Sequence, residues 1–188
     1  MWHVDIPEGD RETLAKMVFR YENPPGSPYI SGSQDAIGIV MPCLNRLNYN
    51  GGYWPDSIET VKDPAVLDFI EKNLWLIPMA PRDNSYDVLA DTHIDEAGAR
   101  ALAQAADDCW KAINAQDVDA WGKACTASFD AQVAMFPNMI SPHVQKAIDE
   151  YKGNVKGYKI TGAGGGGYLV IVNDTPIKNA IQIRIRRR

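Results

Sequence analysis

Residues Lys159–Val172 read KITGAGGGGYLVIV, and the organisation of the chain follows from this stretch. Gly162 and Gly164 to Gly167 separate two β-prone segments, Tyr158-Lys159-Ile160 and Tyr168–Val172. The second is a run of β-branched and apolar residues that suits a strand. Backbone without Cβ atoms can come very close to a ligand or to another backbone. Two readings follow: a loop that contacts phosphate, or a tight connection between strands. The run is neither GxGxxG at a strand-to-helix turn nor a Walker loop, because no Gly-Lys-Ser/Thr follows and the next element is a strand.

Downstream, Asn173-Asp174-Thr175-Pro176 predicts a turn. Ile181, Ile183 and Ile185 then alternate with Gln182, Arg184 and Arg186, as in a final strand. Arg184, Arg186, Arg187 and Arg188 suit the solvated side of an edge strand and a charged tail, or an attraction for phosphates. Upstream lie three helical patterns. The first, Asp95 to Ala115, carries Ala97, Ala101, Leu102, Ala105, Cys109 and Ile113 in one stripe. The second starts at Asp117 as a cap and ends before Pro137. The third has Ser141 as cap and Pro142 at its first position, and Gly153 ends it. Before them, Leu74–Met79 (LWLIPM) predicts a central strand, Pro64–Lys72 an amphipathic helix and Pro81–Asp91 a polar loop. The three apolar segments are expected to share one sheet, with the two longer helices covering one face. Strands flanking a helical middle make an α+β layout.

Nearer the N-terminus, Leu14, Met17, Val18 and Tyr21 stand at helical spacing, ahead of Asn23-Pro24-Pro25-Gly26. Leu47 and Tyr49 predict a strand that turns at Gly51-Gly52, and Tyr53-Trp54-Pro55 resumes an extended segment. Between helix and strand lies SGSQDAIGIV, Ser31–Val40. Asp35 stands there at a loop-to-core junction. It can serve as a tuned base or as a helix cap.

The 188 residues are 45% hydrophobic and 23% charged, with formal net charge −5. That balance argues against a general nucleic-acid binder. No apolar run reaches the roughly 20 residues of a membrane span, and no secretory signal is visible. A cytoplasmic protein is expected. Cys43, Cys109 and Cys125 form no disulfide framework and read as reduced thiols, with Cys109 and Cys125 buried. His3, His93 and His143 lack the clustering a zinc site needs, so no metal ligands are assigned. Arg82, in the polar loop, could clamp an anionic substrate.

Together two motifs resemble a known family. KITGAGGGGYLVIV is similar to the third signature motif of the GHMP small-molecule kinases, and SGSQDAIGIV to the segment that carries their catalytic aspartate. The sugar-kinase branch with the bacterial heptose-phosphate kinases is the nearest likeness. The resemblance implies a ferredoxin-like α/β sandwich over residues 56–188, as in the family's C-terminal lobe. Residues 1–55 would be a short remnant of the N-terminal lobe. It implies an ATP- and Mg²⁺-dependent transfer of a phosphoryl group to a sugar or sugar-phosphate hydroxyl. Asp35 would be catalytic, Gly162, Gly164, Gly165 and Gly166 would lie near the phosphates, and Gln34 and Arg82 would bind substrate. The family's Pro-x-x-x-Gly-Leu-Gly-Ser-Ser phosphate loop, which opens a helix upstream of the aspartate, does not occur in these 188 residues. The chain therefore resembles the C-terminal portion of a kinase, as a fragment, a truncated frame or half of a split enzyme. A separate N-terminal half is a possible partner. The alternative is a non-catalytic module of the same fold that binds a metabolite or pairs with a partner chain.

Overall fold

A computed structural model describes residues 6–81 and 86–188. The chain divides into two compact units. One runs to Asp63 and takes in Ile185–Arg188; the other is Pro64–Arg184.

The first unit opens with helix α1, Arg11–Glu22. Asp10 caps it, its carboxylate accepting the Thr13 amide at 2.8 Å and the Thr13 hydroxyl at 2.6 Å. These bonds hold the Asp10 carboxyl below the usual range. Helix α2, Gln34–Val40, follows, then the antiparallel strands β1, Leu44–Asn48, and β2, Ser57–Val61. Ala15, Ile37 and Val40 form a buried core, with Leu14, Val18, Leu47, Trp54 and Ile58 packed on it. The strand that pairs with β1 is SIETV, two residues beyond Tyr53-Trp54-Pro55. Trp54 goes into the core and stacks near Phe19 and Lys16, while the Asp56 amide closes the loop on the Asn48 carbonyl at 2.8 Å. Pro55, with no N–H, could not have donated to a ladder there. Because β2 pairs with β1, the first unit extends past residue 55 to Asp63. Met17 and Tyr21 of α1, patterned like core residues, are exposed.

The second unit begins with helix α3, Pro64–Asn73, and runs directly into strand β3, Leu74–Pro78. Helices α4, Glu96–Asn114, and α5, Val118–Met135, follow. Asp95 and Asp117 cap them, accepting from the Gly98 and Ala120 amides at 2.6 and 2.9 Å. A 3-10 turn, Pro137–Met139, leads to α6, Pro142–Tyr151. Strands β4, Gly157–Ile160, β5, Tyr168–Val172, and β6, Ile181–Gln182, complete an antiparallel sheet in the order β4-β5-β3-β6. The three apolar segments do share one sheet, with β3 inside it. The final strand is only two residues long. Ile183 still donates to the Leu74 carbonyl at 3.3 Å, Arg184 pairs with Glu71 at 3.1 Å, and the last four residues join the other unit.

One sheet face aligns Tyr158, Ile160, Leu169, Ile171, Trp75 and Ile77. Phe129 of α5 and Val144 and Ile148 of α6 complete the core upon it. Helix α5 packs on β4 and β5, while α4 packs chiefly on α5 and so forms an outer layer instead of covering the sheet. Gly122 and Gly157 set the approach of α5 to β4. A Cβ on Gly157 would run into the backbone of Gly122, and one on Gly122 into the Lys156 carbonyl. Cys125 on α5 is buried as expected, whereas Cys109 on α4 is only half-buried; desolvation pushes their thiols up to about 12 and about 11.

Candidate functional site

The glycine loop, residues 161–167, joins β4 to β5. At its entrance, Lys159 directs its ammonium group to Gln132 Oε1 at 2.7 Å and Ser128 Oγ at 3.1 Å, which ties β4 to α5. Burial, without a carboxylate on that ammonium group, pushes it below its ordinary value. Thr161 closes the two strands by accepting the Tyr168 amide on Oγ1 and donating its own amide to the Tyr168 carbonyl at 3.1 Å.

Within the loop, Gly162, Gly164, Gly165 and Gly167 all have positive φ, from 60° to 93°. Gly164, Gly165 and Gly166 are buried, while Gly162 and Ala163 are exposed. The loop rests on the turn before α6. The Gly165 amide donates to the Met139 carbonyl at 2.8 Å, and Gly164 comes so close to Met139 that a Cβ would lie 2.7 Å from the Met139 Cβ. On its other side the loop is bonded to the end of β3: Met79 donates to Gly167 O at 2.8 Å, and Gly167 to Ala80 O at 3.3 Å. The amides of Gly162, Ala163, Gly164 and Gly166 take no part in these bonds. Of these, the amides of the exposed Gly162 and Ala163 are the groups the loop could offer an anion.

Ser141, the cap position of α6, is buried, but its hydroxyl does not cap the helix. It donates to the Gly165 carbonyl at 3.3 Å and lies 3.1 Å from His143 Nδ1. A cavity of about 170 Å³ opens beside these groups, between the end of β3 and α6, lined among others by Ile77, Met79, His143, Lys146 and Tyr151. Sequence reading left His143 without a partner. Its link to the loop runs through a serine that reads locally as an ordinary cap, so no local pattern announces it.

Asp35 and Gln34 lie in the first unit, at the start of α2. The cap position belongs to Ser33, whose buried hydroxyl pairs with Tyr49 OH at 2.8 Å. Asp35 is therefore not the cap. It stands exposed in the first turn, where the helix dipole favours a negative charge, and its carboxylate has no hydrogen-bond partner among the described residues. Gln34 is exposed too, its amide folded against Gly32. Arg82 lies outside the described residues.

No protein-family model and no curated protein matches the sequence. Solved structures do match its fold. A mevalonate kinase superposes with a TM-score of 0.65 at 17% identity, covering 89% of this chain and 51% of its own. A D-glycero-D-manno-heptose 1-phosphate kinase from Bacteriodes thetaiotaomicron superposes with a TM-score of 0.55 at 16% identity, covering 90% of this chain and 46% of its own. The fold is that of the GHMP kinases. The chain spans about half the length of each of these two kinases, and its mixed, antiparallel architecture is consistent with the C-terminal lobe of the GHMP-kinase fold.

A nucleotide fits this fold only in part. The unengaged glycine amides suit phosphate oxygens. No cluster of three or more metal-ligating side chains occurs among the described residues.

Proposed function

We propose that this chain is the C-terminal, substrate-side part of an ATP-dependent sugar or sugar-phosphate kinase, completed by a segment that supplies the phosphate loop. On this reading the first unit, to Asp63, belongs to the N-terminal lobe, and the unit from Pro64 is the C-terminal domain. The observation that carries it is the β4–β5 glycine loop, pinned by Met139 and Ala80, with the exposed Gly162 and Ala163 amides making no backbone bond among the described residues, within a GHMP-kinase fold. When bound, ATP with Mg²⁺ supplies the γ-phosphoryl group. Asp35 accepts the proton of the acceptor hydroxyl, Gly162, Gly164, Gly165 and Gly166 lie near the phosphates, and Gln34 and Arg82 hold the sugar. Phosphoryl transfer depends chiefly on positioning and charge neutralisation, so few protein groups are needed.

The test is a coupled assay on a panel of sugars and sugar phosphates, with the chain mixed with the polypeptide encoded immediately upstream. Asp35→Asn should lower kcat about 10²- to 10⁴-fold with an unchanged melting temperature, because the carboxylate is exposed and makes no hydrogen bond among the described residues. Near-normal turnover removes Asp35 from the chemistry. The isolated chain should turn over no sugar, and micromolar Mg-ATP affinity for it alone would contradict the incomplete-site reading.

A non-catalytic binding module is the second reading, favoured by the burial of Gly164 to Gly166 and by the bare Asp35 carboxylate. Metabolite binding without phosphorylation in the completed assembly would select it.

A further inference from the structure

Serine is among the best helix caps, yet Ser141, at the cap position of α6, makes no side-chain bond to the first turn of that helix. The side chain is buried, and its hydroxyl goes to the Gly165 carbonyl at 3.3 Å instead. A hydroxyl has one hydrogen, so toward His143 the Ser141 oxygen accepts; the two imidazole nitrogens lie 3.1 and 3.4 Å from it. His143 is thereby tied to the glycine loop through a single bridging oxygen. The same histidine lines the cavity of about 170 Å³ between the end of β3 and α6. The loop's other support lines it too, since Met79 and Ala80 are both bonded to Gly167. The cavity thus touches the two anchors that hold the loop.

The lining residues define what the cavity would take. Ile77 of β3, Met79 just after it and Ala147 of α6 are packed on the core and make an apolar wall. An apolar space of roughly 150 Å³ accepts a body the size of benzene. Lys146 and Glu150, both exposed on α6, line the same cavity. They stand one helical turn apart, about 6 Å along the axis. Lysine before glutamate is the weaker order for a helix pair, and no hydrogen bond or ion pair joins the two among the described residues. One turn of helix therefore presents a cation and a carboxylate beside an apolar slot. A simple anion would meet Glu150, and a simple amine would meet Lys146. A molecule with both charges next to an apolar body satisfies all three features. We propose that this cavity binds a small α-amino acid with an apolar side chain: its carboxylate on Lys146, its ammonium group on Glu150, and its side chain against Ile77, Met79 and Ala147. Bound there, it bridges α6 and the end of β3, and through His143 and Ser141 it braces the glycine loop. This site is independent of the kinase reading.

The experiment titrates the 188-residue chain with leucine, followed by calorimetry and ligand-observed NMR. Leucine should bind saturably, with a Kd of about 1 mM or tighter. Removing one charge from the ligand, as in isocaproate or isoamylamine, should weaken binding about tenfold or more. Lys146→Gln and Glu150→Gln should each weaken leucine binding to the same extent. Both side chains are exposed, so these variants should keep the wild-type melting temperature. Hydrogen exchange of residues 161–167 should slow when leucine is bound, and Ser141→Ala should remove that slowing while leucine still binds. Absence of saturable binding overturns the site, and so do charge variants that bind leucine like the wild type. Isocaproate bound as tightly as leucine would make the cavity a plain anion site, and isoamylamine bound as tightly a plain cation site; either result also overturns it. Leucine binding that leaves the loop's exchange unchanged overturns the link to the loop.

Discussion

Gly164→Ala isolates what the loop's close approach to Met139 contributes. Gly164 has φ +84°, and an alanine Cβ would stand 2.7 Å from the Met139 Cβ and 2.8 Å from its Cα and carbonyl oxygen. The left-handed conformation costs a non-glycine residue about 1–2 kcal/mol. The clash adds about 1–3 kcal/mol, the usual cost of overpacking. Met139 cannot readily retreat: it is buried, and its carbonyl accepts the Gly165 amide. The total is about 2–5 kcal/mol, and at about 2–4 °C per kcal/mol for a chain of this size the melting temperature should fall by about 4–20 °C. Gly162 supplies the control. It has φ +60°, and a Cβ added there would meet nothing within 4 Å, so Gly162→Ala bears only the backbone cost, about 1–2 kcal/mol. Thermal unfolding followed by circular dichroism, both variants beside the wild type, measures the difference. Equal losses in the two would refute the argument, because the Met139 contact would then contribute nothing.

Two further outcomes follow from the titrating groups. At pH 8 the thiolate fraction should be about 100-fold lower for Cys109 and about 1,000-fold lower for Cys125 than for a thiol of ordinary pKa near 9, so iodoacetamide should label both far more slowly in the native protein than in denaturant; equal native and denatured rates, read by mass spectrometry, would contradict their burial. The Lys156 ammonium beside Asp119, at 2.7 Å, holds that carboxyl below its usual range, so the Asp119 contribution is present above its unfolded pKa and is lost as pH falls through the folded one. The melting-temperature gap between wild type and Lys156→Ala should therefore narrow as pH drops below about 4; a gap constant from pH 7 to 3 would show that the pair is not coupled to folding.

The elements that were legible in the sequence are those whose signals are local. Asp95, Asp117 and the Ser141-Pro142 pair mark three helix starts within a turn of the residues they serve, and the structure places all three helices there. LWLIPM and YLVIV are strands because their composition suits a buried pleat, and they pair along their full length. What was not legible depends on distant partners. Around the two-residue final strand, Gln182 and Arg184 engage Glu71, more than 110 residues away. Trp54 packs on a core made by α1 and α2, and the ladder with β1 is formed by SIETV after it. Helix α4 carries a full apolar stripe, yet spends it on α5 and α3, a choice its own residues do not specify.

The glycine run illustrates how a motif and a scaffold share residues. Four of its five glycines have positive φ, so the path of the loop demands glycine there with no ligand involved. Gly164 is required a second time, by Met139. The bland reading of the run, a tight inter-strand connection, is therefore correct as far as it goes, and it does not compete with the phosphate reading. A loop that spent all its amides on its own scaffold would have nothing to offer an anion. This one engages Gly165 and Gly167 and leaves the amides between and before them outside those bonds. Rigid backbone with unengaged donors is what anion recognition needs, since the donors are held in place before the ligand arrives. The scaffold contacts at Met139, Ala80 and Ser141 are thus the means by which the remaining amides could act.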